Sequence, residues 1–279
     1  MVKWRFLETG KGNAFFNMAL DEAILDAVGK DASPPTFRLY EWSPDAVTFG
    51  YYQNIDRLIN IECCRADGVD ITRRLTGGRT VFHKNEIAYS VIGSIDDPCF
   101  GGNIIDTYQS INKVLVESFN LLGIDAKINR GGVEKGIPNL NRRLLPCFLT
   151  TYKFEIILDS KKLVGSAQRR FNGLFLQQGS ILIGPGHERI INYMKDNELA
   201  SEFKKRLSER SIDLKSKFND KFNIISLKKS ILNVFEKTTD AGYEFEYPTQ
   251  KELKYTDRLI DERYKSKGWI LGDGKRSGF

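Results

Sequence analysis

The first fifty residues alternate between strand-like and helix-like spacings of apolar side chains. Apolar and polar residues alternate over Val2–Leu7, which predicts a strand. Asn13 precedes a run in which apolar residues recur at helical spacing, so a helix is expected to begin there. Thr36–Trp42 and Ala46–Phe49 predict two further strands, separated by the turn-forming sequence Ser43-Pro44-Asp45.

The next stretch predicts strands around a loop rich in arginine and glycine. The elements expected here are a short helix at Ile59–Ala66 and strands at Val69–Arg74, Thr80–His83 and Glu86–Gly93. The segment Arg73–Arg79 joins the first two strands and contains Gly77-Gly78. Such a punctuated connection between strands is typical of a functional loop.

An amphipathic helix, a long loop and a hairpin are expected next. Ile104–Leu122 carries apolar residues on one face, whereas residues 129–145 are rich in Gly, Asn and Arg and have no period. The strands expected after the loop are Phe154–Leu158 and Leu163–Ala167, forming a hairpin around Asp159-Ser160-Lys161-Lys162, and Leu174–Ile183.

From Glu188 onward the chain becomes mostly charged helical segments with one short strand, Tyr243–Tyr247. No repeat or low-complexity linker marks a domain boundary. We therefore predict one α+β domain over residues 1–279, with mixed sheets flanked by helices. Residues 1–186 would form its core and 187–279 a mainly helical C-terminal portion.

Composition narrows the class of protein without selecting one. With 41% hydrophobic residues, 28% charged residues and 8 prolines, the chain is expected to be globular rather than disordered or collagen-like. Met1–Gly10 has no apolar run of the signal-peptide kind and no stretch approaches a membrane span, so a cytoplasmic protein is expected. The net charge of +6 favours acidic partners. Nucleic acid is not expected, because neither zinc-ligand spacing nor an aromatic RNA-binding run accompanies the charge.

The four cysteines offer thiol chemistry rather than a metal site. They show no C-x-x-C spacing, and neither histidine lies at zinc-finger distance from them, so no metal is expected. Cys147 precedes the paired lysines Lys161-Lys162, and an ammonium near a thiol favours the nucleophilic thiolate. For each residue alone, however, an inert buried cysteine and a solvated hairpin lysine are the commoner interpretations.

Two other features are weak when taken alone. Arg73-Arg74 with Gly77-Gly78 could present backbone N–H groups to a carbonyl or phosphate oxygen, but the sequence lacks the spacing of either phosphate-binding glycine motif. An ordinary Gly-Gly hairpin explains it equally well. His83, alone on a predicted strand, is most simply a hydrogen-bonded structural group.

Several motifs occur together in the order of one family. Those that carry the resemblance are Phe16–Ala23, Gly50–Asn54, Arg73–Arg79, Pro146-Cys147-Phe148, Lys162–Gln168 and Leu176–Ile181. On these residues the chain resembles the lipoate–biotin ligase superfamily and, within it, the cysteine-dependent octanoyltransferases of the LipM type. The likeness runs nearly end to end and implies the biotin/lipoate ligase catalytic fold.

The resemblance implies a reaction and roles for the residues. Octanoate would pass from acyl carrier protein to Cys147 as a thioester, and then to a lysine of a lipoyl-domain protein such as the glycine cleavage H protein, without ATP or any other cofactor. Lys162 resembles the family lysine that lowers the thiol pKa and lies near the acyl carbonyl. The residues expected to contact substrate are Arg73, Arg74, Gly77, Gly78, His83, Gly165, Ser166 and Ala167.

Rival functions remain open at this point. An ATP-dependent lipoate ligase would share the fold and the lysine, but it characteristically has a third glycine where this chain has Arg79. An amidotransferase that moves octanoate between lipoyl domains also uses a cysteine, and a non-catalytic binding module is the alternative outside enzymes. Lys84 and Ala88 replace an acidic residue and a threonine that are usual in the family, and they are expected to be neutral for the reaction.

Overall fold

The chain forms two β-sheets and a set of flanking helices, and the computed structural model describes residues 3–53, 58–131, 147–149, 153–239, 243–245 and 247–272. The strands are β1 (Trp4–Gly12), β2 (Thr36–Trp42), β3 (Ala46–Phe49), β4 (Asp70–Arg73), β5 (Val81–His83), β6 (Glu86–Ser94), β7 (Lys127–Ile128), β8 (Ile156–Leu158), β9 (Lys161–Phe171), β10 (Leu174–Leu182) and β11 (Tyr243–Phe245). The α-helices are α1 (Ala14–Gly29), α2 (Ile61–Ala66), α3 (Ile104–Asn120), α4 (Asn197–Arg210), α5 (Leu214–Phe218), α6 (Ile224–Thr238), α7 (Gln250–Leu259) and α8 (Lys267–Leu271). Shorter helical turns are 3₁₀ at Cys147–Leu149, His187–Tyr193 and Asn219–Lys221, and π at Ile260–Tyr264.

The larger sheet has the strand order β11-β1-β2-β6-β10-β9-β8-β7, and the smaller sheet has the order β4-β3-β5. In the larger sheet β11, β1 and β2 are parallel, and every later neighbour is antiparallel. In the smaller sheet β3 is parallel to β4 and antiparallel to β5. Mixed sheets flanked by helices confirm the predicted α+β class.

The two faces of the larger sheet are covered by different helices. Val91 of β6 packs into the cluster that holds α3 and α6, and the next residue, Ile92, packs into the cluster that holds α1. This alternation is the period of two expected of a strand buried on both faces. Asn13 accepts a hydrogen bond from the Phe16 N–H and caps α1, so the predicted helix start is confirmed.

The hairpin of β8 and β9 differs from its predicted form in a way that matters for Lys162. Its turn is Asp159-Ser160, with φ values of +50° and +61°, the left-handed pair that matches the twist of two antiparallel strands. Lys161 and Lys162 therefore lie in β9, and the prediction that placed them in the turn was wrong. Because neighbouring strand residues point to opposite faces, Lys162 is 0% exposed, whereas Lys161 reaches the Ser208 carbonyl oxygen of α4 at 3.0 Å.

The remaining predicted elements are confirmed in type, with shifted ends. The first strand runs on to Gly12, and the short C-terminal strand is Tyr243–Phe245. Most of the predicted loop at 129–145 lies outside the described residues. Within the described ranges, no helix combines the length and apolar character that a bilayer crossing requires. The division at residue 186 stays a prediction.

Candidate active site

Cys147 begins a 3₁₀ turn, Cys147–Leu149, that packs against the apolar cluster of the smaller sheet. The two residues after the cysteine are buried in the apolar cluster that includes Phe203 and Leu207 of α4. The Cys147 backbone N–H donates to the Thr80 carbonyl oxygen at 2.9 Å. These contacts hold the half-buried thiol at the wall of a cavity.

Lys162 of β9 lies opposite the sulfur. Its Nζ is 3.7 Å from Cys147 Sγ, donates to the Cys147 carbonyl oxygen at 3.1 Å and pairs with Glu155 Oε1 at 2.5 Å. Burial by itself lowers the pKa of the lysine, but Cys147 and Glu155 outweigh that effect, so the net pKa is raised. A cationic amine therefore faces the thiol from inside the protein.

Glu155 completes this cluster, and the sequence reasoning missed it. Phe154 adopts a φ of +74°, an unusual conformation for an aromatic residue, and turns the chain just before Glu155. Backbone bonds then fix both residues: the Phe154 N–H donates to the Asn129 carbonyl oxygen, and the Asn129 N–H donates to the Glu155 carbonyl oxygen, each at 2.8 Å. One signal was available, because Glu155 is the sole charged residue in the apolar run Phe154–Leu158.

Gly165 is the point of closest approach between β9 and the reactive groups. A methyl group there would lie 3.3 Å from Cys147 Sγ and 3.0 Å from Lys162 Cε, tighter than ordinary van der Waals contact. A residue without a side chain therefore lets the sulfur and the lysine reach the strand. The structure thus brings together three of the predicted site residues, Cys147, Lys162 and Gly165.

The strand continues along the cavity wall at Ser166 and Ala167. The Ser166 hydroxyl is 2.6 Å from the Tyr89 hydroxyl, and its carbonyl oxygen accepts a hydrogen bond from the Tyr108 hydroxyl at 2.9 Å. Burial raises the pKa of Tyr89 to about 12, so this phenol stays neutral. Two neutral phenols thus hold the strand in place beside the thiol.

The cavity in front of Cys147 has a volume of about 560 Å³, the size of a small-molecule site. Gly77 and Gly78 line it, and their contact with substrate stays a prediction. Three large apolar side chains at its lining remain substantially exposed: Tyr52 at 62%, Ile104 at 55% and Ile105 at 49%. Exposed apolar side chains that converge on one opening are typical of an interaction site.

His83 lies on a second, narrower space of about 40 Å³ that also touches Cys147. Its ring nitrogens are 2.7 Å from Thr48 Oγ1 and 2.7 Å from Glu86 Oε1, and the ring stacks on Trp42 with centroids 4.0 Å apart. A space of this size holds water rather than an acyl chain. His83 is therefore near the thiol but engaged by its neighbours on both sides.

The two adjacent arginines do not present their guanidinium groups to the large cavity. Arg73 donates to backbone carbonyl oxygens of two segments that are distant in sequence, including Gly50 at 2.7 Å and Trp269 at 3.0 Å. Arg74 donates to the Gly77 carbonyl at 2.9 Å and the Arg79 carbonyl at 2.6 Å, which fixes the glycine loop. Neither side chain lines the large cavity, and Arg74 alone reaches the narrow space. The contacts of both arginines are mainly with backbone carbonyl oxygens, and the substrate contacts implied by the family resemblance stay a prediction.

The other thiols are placed differently from Cys147. Cys63 is exposed on α2, and burial raises the pKa of Cys64 to about 12. Neither they nor Cys99 line the cavity. Across the described part of the chain, no three His, Cys, Asp or Glu side chains are grouped so that they could hold a metal ion.

Comparison with known proteins identifies the family. The model of the lipoyl protein ligase A/B catalytic domain matches residues 13–236, and the chain belongs to this family. The curated protein "Octanoyltransferase LipM" of Geobacillus kaustophilus is 33% identical over 269 residues, which cover 95% of this chain and 97% of that one. The protein of the same name from Bacillus subtilis is 31% identical over 269 residues, with the same coverage.

Solved structures give the same fold. A bipartite lipoate protein ligase from Thermoplasma acidophilum, described in a study with its E2 lipoyl domain, superposes with a TM-score of 0.79 and 23% identity, covering 99% of this chain and 98% of that one. A lipoate-protein ligase A bound with ATP superposes with a TM-score of 0.75 and 24% identity, covering 97% and 99%. The predicted lipoate-ligase fold is confirmed.

Three positions depart from the family pattern: Arg79, Lys84 and Ala88. Arg79 is largely buried and lines the cavity. Lys84 forms a partly exposed ion pair with Asp45 at 2.6 Å and lines neither of the two spaces beside Cys147. Ala88 is buried on the narrow space. The expectation that Lys84 and Ala88 are neutral for the reaction stays a prediction.

Proposed function

We propose that this chain is an octanoyltransferase that carries the octanoyl group as a thioester on Cys147. The observation that carries the proposal is the 3.7 Å separation of Cys147 Sγ from the Nζ of buried Lys162, at the wall of a cavity with an apolar opening. A cation at this distance favours the thiolate, which is the attacking form. Near-full-length similarity to octanoyltransferases supports the same reaction here.

In the loading step the thiolate attacks the thioester carbonyl of octanoyl-acyl carrier protein. A bond forms between Cys147 Sγ and the acyl carbon, the bond to the carrier sulfur breaks, and the carrier leaves as a thiol after taking up a proton. One thioester replaces another, so the exchange needs no ATP. A net charge of +6 supports encounter with an acidic carrier.

In the transfer step a neutral lysine amine of a lipoyl-domain protein, such as the glycine cleavage H protein, attacks the enzyme thioester. A C–N bond forms, the C–S bond breaks, and the proton lost by the nitrogen goes to the sulfur, which regenerates the Cys147 thiol. The amide is more stable than the thioester, and this drives the transfer. We place the reaction in the cytoplasm, where thiols stay reduced.

The cavity supplies binding for the acyl chain. Gly77 and Gly78 form one part of its lining, and Ser166 and Ala167 form another. Burying about seven methylene or methyl groups at ~0.8 kcal/mol each would contribute roughly 5 to 6 kcal/mol. Developing negative charge on the carbonyl oxygen would be stabilised by the Lys162 ammonium and by nearby backbone N–H groups.

Intact mass spectrometry tests the proposal directly. After incubation with octanoyl-acyl carrier protein and no ATP, the protein should gain one octanoyl group, which should leave when a lipoyl-domain protein is added. Cys147→Ala should show neither event, and Cys63→Ala, which removes an exposed thiol outside the cavity, should show both.

The same assay separates the rivals. An ATP-dependent ligase would modify the acceptor from free lipoate and ATP, and it would keep that activity in Cys147→Ala. An amidotransferase would load from octanoyl-H protein in preference to the carrier protein. Either result would replace the proposed function.

A further inference from the structure

The buried ammonium of Lys162 contacts two groups that carry negative charge at different stages of the reaction. Cys147 Sγ lies 3.7 Å away and Glu155 Oε1 lies 2.5 Å away. Once the sulfur carries an acyl group it is a neutral thioester, so one of the two partners is lost. Lys162 is 0% exposed, and water therefore cannot replace the missing charge. The carboxylate of Glu155 persists through both steps.

We propose that Glu155 is a positioning residue for the transfer step, which holds Lys162 protonated and in place while Cys147 carries the acyl group. This inference rests on the proposed function, because it concerns the second half of the same reaction. A protonated Lys162 is needed there because the carbonyl oxygen of the thioester becomes negative as the acceptor amine attacks. A neutral lysine would leave that charge without a cation.

Among the residues that the structure describes, the other titratable groups near Lys162 do not take over this role. Arg79 is a cation and opposes the ammonium, and Arg74 adds a second buried cation near the sulfur. The phenols of Tyr89 and Tyr108 stay neutral, because burial raises the pKa of both. Among the described residues, Glu155 is the carboxylate in contact with Lys162.

The backbone around Glu155 is built to hold one position. The residue before it, Phe154, has a φ of +74°, and such conformations persist only where the surrounding structure enforces them. The enforcing contacts are the paired hydrogen bonds with Asn129 and a bond from Asn112 Nδ2 to the Phe154 carbonyl oxygen at 2.5 Å. The Glu155 side chain is therefore aimed at Lys162 by the main chain.

Glu155 and Lys162 act on the free thiol in opposite directions. The lysine favours the thiolate, whereas a carboxylate beside the same lysine offsets part of its charge. Removal of Glu155 therefore leaves thiol activation intact while it weakens the transfer step. A residue with a merely structural role would affect both steps together.

The test is Glu155→Gln, with loading and transfer followed separately by rapid-quench intact mass spectrometry. Transfer should slow roughly 10-fold or more at pH 8, because burial then dominates and lowers the pKa of Lys162. Loading, and alkylation of Cys147 by iodoacetamide, should stay within about twofold of wild type. Transfer in the variant should decline with rising pH earlier than in wild type, and Glu155→Asp should restore part of the loss.

Glu252→Gln is the matched control, because it breaks another buried ion pair, Arg5–Glu252 at 2.7 Å, that does not line the cavity. It should lower the unfolding temperature and leave the ratio of transfer to loading unchanged. If Glu155→Gln keeps the wild-type pH profile, or slows loading as much as transfer, the inference is wrong. If Glu155→Gln does not fold, Glu155→Asp takes its place, and a wild-type pH profile of transfer in that variant would also show that the inference is wrong. Failure of the proposed function is distinct, since the wild-type protein would then form no octanoyl adduct.

Discussion

Two buried cations of this protein, Arg73 and Lys162, are surrounded by different kinds of chemical group. The Arg73 guanidinium lies among main-chain carbonyl oxygens of the 50–53 loop and of α8, and it ties those segments together. The Lys162 ammonium has a sulfur and a carboxylate beside it at the wall of a cavity. Burial of a charge therefore does not mark a functional site by itself. The groups around the charge decide whether it stabilises the fold or serves chemistry.

The largest expected difference between the two cations is in the rate of octanoyl transfer, and Lys162→Ala should reveal it. The variant leaves the Glu155 carboxylate facing the thiol with no cation between them, so the thiolate fraction falls. Octanoyl transfer should drop roughly 10²- to 10³-fold, and alkylation of Cys147 near neutral pH should slow as well. Lys161→Ala is the control, because the neighbouring side chain points away to Ser208 and should change either rate by less than about twofold.

Unchanged alkylation of Cys147 in Lys162→Ala would remove the role assigned to this lysine. Breaking a buried ion pair also costs stability, about 3 to 5 kcal/mol. The unfolding temperature should therefore be measured on the same samples, and the rates compared well below it.

Arg73→Ala is expected to lower stability without slowing the reaction. The substitution leaves several buried carbonyl oxygens without a donor, so the free energy of unfolding should fall by about 3 kcal/mol. Octanoyl loading of the folded fraction should not change, because the guanidinium does not line the cavity. Urea unfolding and intact mass together check this prediction. A loss of loading at full stability would instead support the substrate contact that the family resemblance implies for Arg73.

The sequence was informative about Lys162 and Arg73 to different degrees. The adjacent pairs Arg73-Arg74 and Lys161-Lys162 look alike in sequence, yet each pair lies on a strand or at its end, where neighbouring side chains point to opposite faces. In the lysine pair only Lys162 is buried, whereas Arg73 and Arg74 are both buried. Burial therefore depends on the register and on tertiary packing, and one misplaced turn at Asp159-Ser160 reverses the answer for the lysines. Most elements were predictable because apolar periodicity is a local property.

The partners of the buried groups were not predictable in this way. Glu155 reaches Lys162 across a hairpin whose register shifts at β8, and Arg73 reaches Trp269 from the other end of the chain. Such contacts depend on tertiary packing that no short window of sequence contains. The proximity of Cys147 to Lys162 was expected from family resemblance, and spacing alone left an inert cysteine the better interpretation.

A smaller effect is expected at the glycine loop. At Gly77 an added side chain meets no atom within 4 Å, so Gly77→Leu would project into open space at the cavity without strain. Octanoyl loading should fall by about tenfold with little change in unfolding temperature. Gly78→Ala is the matched contrast, since Gly78 has a φ of +83° and a Cβ there would lie 2.9 Å from the Arg74 guanidinium. That variant should lose about 1 to 2 kcal/mol of stability. Equal damage to loading and stability in Gly77→Leu would favour an ordinary structural hairpin.

The smallest effect concerns another buried cation, Arg5, which pairs with the Glu252 carboxylate at 2.7 Å away from the cavity. Burial raises the pKa of Glu252, but the Arg5 guanidinium, the Thr249 N–H and the Ser33 hydroxyl outweigh it, and the net pKa is lowered. A lowered pKa in the folded state means that the carboxylate stabilises the protein above the unfolded-state pKa of about 4.3 and stops doing so as pH falls through the folded-state value. The stability difference between wild type and Glu252→Gln should therefore be full at pH 7 and narrow as the pH falls below the unfolded-state pKa, measured by urea unfolding at each pH. A difference that stays constant down to the acid transition would show that the pair contributes through packing and not through its charge, and Arg5 would then differ from both of the cations compared above.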